Sequence, residues 1–172
     1  MNERKGVFTA GGNPLTLLGD ELKPGMTAPE FTVLDGELKP VSLSQFRGKV
    51  VLLSVVTSLD TGTCDIQTRK FNEKAASLGD DVVILTVSMD LPFAQKRWCG
   101  AAGIDKVVVL SDYRDADLGP KYGILIKELR LLARSLFVID REGKLVYAKT
   151  NSENADEPDY EPALEAARAA VG

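Results

Sequence analysis

Apolar positions along the chain fall into two kinds of grouping. Val50 to Val56, Val82 to Ser88 and Val107 to Leu110 are short, nearly continuous runs rich in β-branched residues. Such runs predict strands covered on both faces. After the first run, apolar residues return at helical spacing at Cys64, Phe71, Ala75 and Leu78, which predicts a helix over about 63–78. After the second, Asp90 has the chemistry of an N-cap and Pro92 suits a first helical turn, so the next helix carries Cys99. Gly6 to Leu17 reads as two short strands joined by Gly11-Gly12-Asn13-Pro14. Phe31 to Leu34 reads as extended and Ser42 to Lys49 as a short helical turn. Ser135 to Asp140 and Lys144 to Ala148 predict a hairpin, and Pro158 to Val171 a closing helix. Strand, helix, strand, helix, strand, hairpin, helix is a three-layer α/β plan with parallel pairs at its centre and antiparallel pairs from the hairpin.

A chain of 172 residues is long enough to bury a core without metal or disulfide staples, and residues 1–172 are expected to form one domain. The net charge is −4 and no Lys/Arg tract occurs, which argues against nucleic acid or an anionic membrane as partner. Met1 to Gly6 is polar and no long apolar region follows it, so no secretory signal is read there. The longest apolar run is too short to span a bilayer. The expected compartment is the cytoplasm, where two cysteines serve more often as free, catalytic or redox-sensing thiols than as a staple. The chain has no histidine, which excludes histidine triads, histidine bases and histidine-ligated metals. Two cysteines are too few for a structural zinc site. Neither a metal nor another cofactor is expected, and any chemistry must use Cys, Arg, Lys, Thr or carboxylates.

The cysteines stand 35 positions apart (99 − 64 = 35). Cys64 follows a buried strand and a turn and opens a helix. There the positive end of the helix dipole and free N–H groups favour the thiolate, which is the nucleophile. Cys99 offers an oxidised Cys64 a second thiol to condense with.

Six segments, taken in order, carry a resemblance. They are Gly12-Asn13-Pro14-Leu15-Thr16-Leu17, Ser58-Leu59-Asp60-Thr61-Gly62-Thr63-Cys64, Arg69-Lys70-Phe71-Asn72, Asp90-Leu91-Pro92-Phe93-Ala94-Gln95 with Cys99-Gly100, Ala133-Arg134, and Glu157-Pro158-Asp159-Tyr160. Together they resemble the peroxiredoxin family, most closely its thiol peroxidase subgroup, over nearly the whole chain. The resemblance implies a thioredoxin-like three-layer sandwich with a central mixed sheet and an N-terminal β-hairpin. It implies a dithiol enzyme that reduces hydrogen peroxide and alkyl hydroperoxides. Cys64 matches the peroxidatic cysteine and Cys99 the resolving one, joined afterwards in an intramolecular disulfide. Thr61 and Arg134 match the threonine and arginine around the peroxide. A thioredoxin-like reductant and a homodimer are implied as well. Where the family usually has proline, this chain has Thr57, which leads to the expectation of a slightly wetter and looser pocket.

Other readings compete residue by residue. A thiol-disulfide oxidoreductase would place Cys-x-x-Cys at the helix start, but position 67 is Gln67. A redox sensor or binding module on the same scaffold would lack peroxide turnover. Phe71, Phe93 and Trp98 are expected in the core, and Glu153 to Asp159 as a solvated loop leading into a helix.

Overall fold

The computed structural model describes residues 1–172. In chain order the elements are β1 (Glu3–Ala10), β2 (Asn13–Leu18), β3 (Thr32–Leu34), β4 (Pro40–Ser42), a 3₁₀ turn (Leu43–Phe46), β5 (Val50–Val55), α1 (Gly62–Leu78), β6 (Val82–Ser88), α2 (Pro92–Ala102), β7 (Val108–Ser111), α3 (Leu118–Lys121), β8 (Leu125–Ile126), β9 (Leu131–Leu132), β10 (Ser135–Ile139), β11 (Leu145–Thr150) and α4 (Tyr160–Val171). The order is that of the thioredoxin-like plan. No helix is long and apolar enough to cross a membrane.

A strand with no exposed face must lie inside a sheet, and β5, every residue of which is buried, does so. The main sheet has seven strands in the order β11-β10-β5-β6-β7-β3-β4. Strands β5, β6 and β7 run parallel; β10, β11, β3 and β4 join antiparallel. The side chains of β5 alternate between two cores. Val50 and Leu52 meet Phe71 and Leu78 of α1 and Ala163 and Leu164 of α4. Val51, Leu53 and Val55 point the other way, toward Phe8, Leu17, Leu118 and Tyr122. The second core is covered by a smaller sheet, β1-β2-β8-β9, which extends the N-terminal hairpin.

Four short elements escape the sequence pattern: β4, α3, β8 and β9, each two to four residues long. Elements of that length are too short to show a period of 2 or 3.6. Two expectations need correction. The N-cap of α2 is Leu91, not Asp90, because the Asp90 carboxylate is used elsewhere. Phe93 is not core: it is 64% exposed, beside exposed Leu91. Phe71 is fully buried as expected, and Trp98 is half-buried.

Glu153 holds the tip of the N-terminal hairpin. Its carboxylate accepts from the backbone N–H of Gly11 (3.0 Å), Gly12 (2.8 Å) and Ala155 (2.6 Å), and from the Thr9 hydroxyl (2.9 Å). The expected solvated loop is therefore tied to the hairpin through this carboxylate. These donors, the Ala155 N–H foremost, hold the Glu153 carboxyl down at about 2.

Two predictions concern stability. Phe71 stacks edge-on against Tyr160 at 5.4 Å between ring centroids. Phe71→Ala is expected to lower unfolding stability by about 3–5 kcal/mol, read from urea titration. The Glu153 anchor depends on the ionised carboxylate, and a depressed folded pKa gives a contribution that is full above the ordinary value of 4.5. It is lost as pH falls from there toward about 2. Protection of the Gly11 and Gly12 amides against hydrogen exchange should therefore fall across that window. In Glu153→Gln it should be several-fold lower already at neutral pH.

Candidate active site

The chain brings Cys64 to the end of the central strand. The backbone pairing of β5 with β6 continues one residue further, with the Val56 N–H donating to Val87 O at 3.0 Å. The chain then turns through Thr57 to Asp60 into α1. Thr61 occupies the N-cap in extended geometry, but its hydroxyl donates to Ser58 O (3.0 Å) rather than accepting from the helix. Hence no side chain caps the first-turn N–H groups of α1, which have no intrahelical partner. Cys64 is fully buried in that turn.

Arg134 comes from far along the chain, and the sheet explains how. Strand β10 pairs antiparallel with β5, and Ser135 lies opposite Val55. The residue just before β10 is thereby placed beside the turn that follows β5. Arg134 is 2% exposed, and its Nη1 donates to the Cys64 Sγ at 3.2 Å and to Gln67 Oε1 at 2.9 Å. Gln67 is fixed in turn, its Nε2 donating to Ser54 Oγ at 2.8 Å. Arg134 Nε donates to Asn154 O, and the Arg134 backbone N–H to Asn154 Oδ1, both at 2.9 Å. No carboxylate pairs with this guanidinium within 4 Å. A buried charge without a partner is costly. The acceptors that face it are the Cys64 sulfur, Gln67 Oε1 and Asn154 O.

Beside this pair lies a cavity of about 260 Å³. Thr57, Thr61, Gly62, Thr63, Arg134 and Asn154 contribute to its wall, and the hairpin tip adds Ala10 and Gly11. Thr61 is exposed on it, whereas the buried Cys64 is not part of the wall. Thr57, the position expected to loosen the pocket, is one of these wall residues. It is 8% exposed, and its hydroxyl donates to Leu132 O (2.9 Å) and accepts from Asn154 Nδ2 (2.8 Å).

Cys99 is half-buried, four residues before the cap of α2 at Gly103, whose φ of 70° ends the helix. Burial pushes the Cys99 thiol up. Both thiols are free. The small cluster around Cys64, with Val56 and Leu59, packs against Trp98 rather than Cys99. The Arg69 guanidinium stands 5.6 Å from the Trp98 ring centroid. Asp90, just before α2, is tied to the turn before α1 and to the end of β6: it accepts from Ser58 Oγ (2.7 Å), from the Leu59 N–H (2.8 Å) and from Ser88 Oγ (2.7 Å).

The fold thus brings Cys64 and Arg134 into contact, puts Thr61 on the adjoining wall, and leaves Cys99 on the neighbouring helix. Sequence reasoning missed Gln67 and Asn154. For Gln67 a signal existed: it lies one turn after Cys64 on the stripe that continues through Thr68 and Phe71, all buried, and a polar residue there needs a partner. Asn154 carries no comparable signal in an acidic loop.

A family model described as Redoxin matches residues 23–164. The thiol peroxidase of Bacillus subtilis is 58% identical over 164 residues, covering 95% of this chain and 98% of its own. That of Halalkalibacterium halodurans is also 58% identical over 164 residues, with the same shares. A crystal structure of a peroxiredoxin-like protein from Aquifex aeolicus superimposes with a TM-score of 0.89 at 40% identity, covering 96% of this chain and 98% of that one. The chain belongs to the redoxin family and, within it, to the thiol peroxidases of the peroxiredoxin group.

Proposed function

We propose that Cys64 is the peroxide-attacking thiol of this thiol-dependent peroxidase, with Arg134 and Thr61 as its partners and Cys99 as the resolving thiol, all within one domain of residues 1–172. The observation that carries this reading is the buried Arg134 Nη1 donating to the Cys64 sulfur at 3.2 Å, with no carboxylate to neutralise it. A fixed positive charge there suits both an attacking sulfur anion and the negative charge that grows on the departing oxygen. The uncapped N–H groups of α1 add to the same field.

The Cys64 thiolate attacks one oxygen of the peroxide. An S–O bond forms, the O–O bond breaks, sulfur loses two electrons, and the departing oxygen takes a proton and leaves as water or an alcohol. Thr61, whose hydroxyl is held by Ser58 O and whose lone pairs remain available, can accept the peroxide O–H from the cavity side. The Cys64 sulfenic acid is then attacked by the Cys99 thiolate: an S–S bond forms, the S–O bond breaks, and the oxygen departs as water. A thioredoxin-like dithiol restores both thiols by exchange. The substrates are hydrogen peroxide and alkyl hydroperoxides, the working compartment is the cytoplasm, and the active form is a homodimer.

Both thiols are free and the α2 residue packed on the Cys64 cluster is Trp98, which supports a resolution step that includes motion of α2. The last turn of α2, ending at Gly103, is the segment that can unwind with least loss of packing.

The decisive experiment follows both thiols through one turnover by mass spectrometry. Cys64→Ser should consume no peroxide, and Cys99→Ser should stop with a trappable sulfenic acid on Cys64. An unoxidised Cys64 in Cys99→Ser would overturn the assignment. The pH dependence separates the two steps. Burial raises the Cys99 thiol above its ordinary value of 9.0, so the attacking thiolate is scarce at neutral pH. Disulfide formation after quenched peroxide should accelerate about tenfold per pH unit from neutrality upward. A raised folded pKa also means that packing around neutral Cys99 is fully stabilising below the ordinary value and weakens as pH climbs above it, which favours the same unwinding.

A further inference from the structure

From the hydrogen bonds around Arg134, we infer that Thr57 and Asn154 act as one unit that positions this arginine against Cys64. The inference rests on the assignment of Cys64 and Arg134 made above and adds two positioning residues to it.

Asn154 holds Arg134 at two points. Its side-chain Oδ1 accepts the Arg134 backbone N–H, and its backbone O accepts Nε of the guanidinium, both at 2.9 Å. One contact fixes where the residue starts and the other fixes the plane of its head group. The arrangement requires the Asn154 side chain to keep its rotamer with Oδ1 toward Arg134. The other end of that amide, Nδ2, donates to Thr57 Oγ1 at 2.8 Å. Thr57 can accept that bond in only one orientation, because its own proton is committed to Leu132 O at 2.9 Å. The chain of donors therefore runs Asn154 Nδ2 to Thr57 Oγ1 to Leu132 O, with no reversal available: an amide nitrogen only donates and a carbonyl only accepts.

The link ties three segments together at the cavity: the turn after β5, the lead-in to β10, and the loop carrying Asn154. Thr57 does not touch the buried guanidinium itself and acts on it only through Asn154, whose backbone O accepts from Arg134 Nε. Elsewhere in the loop, the Asn154 N–H donates to Thr9 O (2.8 Å) and Ala155 O accepts the Thr63 hydroxyl (3.1 Å), so Asn154 itself is held from both sides.

The test compares the second-order rate of Cys64 oxidation by hydrogen peroxide in the full-length reduced protein, followed by quench and mass spectrometry. Wild type, Thr57→Ser, Thr57→Val, Asn154→Ala and the double variant Thr57→Val/Asn154→Ala are measured beside Cys64→Ser. Thr57→Val keeps the shape and removes the hydroxyl. It and Asn154→Ala are each expected to slow oxidation about tenfold to a hundredfold, the scale of a misplaced catalytic group. Thr57→Ser, which keeps the hydroxyl, should stay within about threefold of wild type. The double variant should be no slower than the slower single variant, because both break the same link. A purely structural role would lower the urea midpoint without this pattern of rescue and non-additivity. Wild-type rates in Thr57→Val and Asn154→Ala, or losses that simply multiply in the double variant, would overturn the inference. If Thr57→Val does not fold, Asn154→Ala decides alone, a wild-type rate there being sufficient to overturn it. Peroxide consumption by Cys64→Ser would instead break the underlying assignment, so the two failures are distinguishable.

Discussion

Everything near the site is arranged around one buried positive charge. The Arg134 guanidinium is removed from water, yet no carboxylate lies within ion-pair distance of it. Its hydrogen-bond partners are a side-chain amide oxygen, a backbone carbonyl and the Cys64 sulfur. Neutral acceptors relieve part of the cost of burying the guanidinium, and an anionic sulfur relieves more. An Asp or Glu in the place of Gln67 would neutralise the arginine and leave less field for the sulfur and for the oxygen that leaves. Gln67 satisfies the donor without cancelling the charge, and its own amide is anchored on Ser54 in the central strand. In the proposed reaction the choice of a neutral partner is thus part of the chemistry.

Such an arrangement needs segments that are remote in sequence to meet within tenths of an ångström. The sheet does the coarse work: antiparallel pairing of β10 with β5 sets Ser135 opposite Val55. The loop from Asn151 to Glu157 does the fine work. It holds the arginine through Asn154, the start of α1 through Ala155, and the hairpin tip through Glu153. The N-terminal hairpin is consequently a wall of the cavity as well as a cover for the second core.

The strands and helices that pack on the central sheet were legible because burial on two faces, or on one helical stripe, leaves a period in the sequence. The β5 and β6 runs and the α1 stripe are of this kind. Cys64 stands out by its place at a helix start, with Cys99 as a second thiol, whereas Thr61 and Arg134 stand out only within an ordered set of motifs, since a lone arginine before a strand carries no signal of its own. Asp90 was misread as a cap because a local preference, N-capping, lost to a tertiary one: three donors from Ser58, Leu59 and Ser88 converge on its carboxylate. Phe93 was misread because hydrophobicity predicts burial only on average, and its position on the first turn of α2 faces outward. Glu153 and Asn154 were illegible for a simpler reason. Their partners lie on the hairpin, on the strand lead-in and after β5, and no local pattern encodes a meeting of segments 20 to 144 residues apart.

The same contacts set which parts of the site are stiff and which can move. Cys64 and its arginine sit among fully buried side chains, in a helix whose Phe71 and Leu78 are fixed in the core under the sheet. Cys99 sits near the end of a shorter helix whose buried residues, Pro92 and Gln95, are both in its first half. The second half is held chiefly by Trp98 against the Cys64 cluster, with Arg69 beside the indole. Asp90 anchors the start of α2 to the turn before Cys64, so unwinding that begins at Gly103 can proceed toward Cys99 without releasing that start. The proposed two-thiol mechanism needs this asymmetry. In that proposal Cys64, as the attacking sulfur, must be pre-organised, because the rate of attack depends on its geometry relative to the arginine. Cys99, as the resolving sulfur, must be free to leave its place near the end of α2.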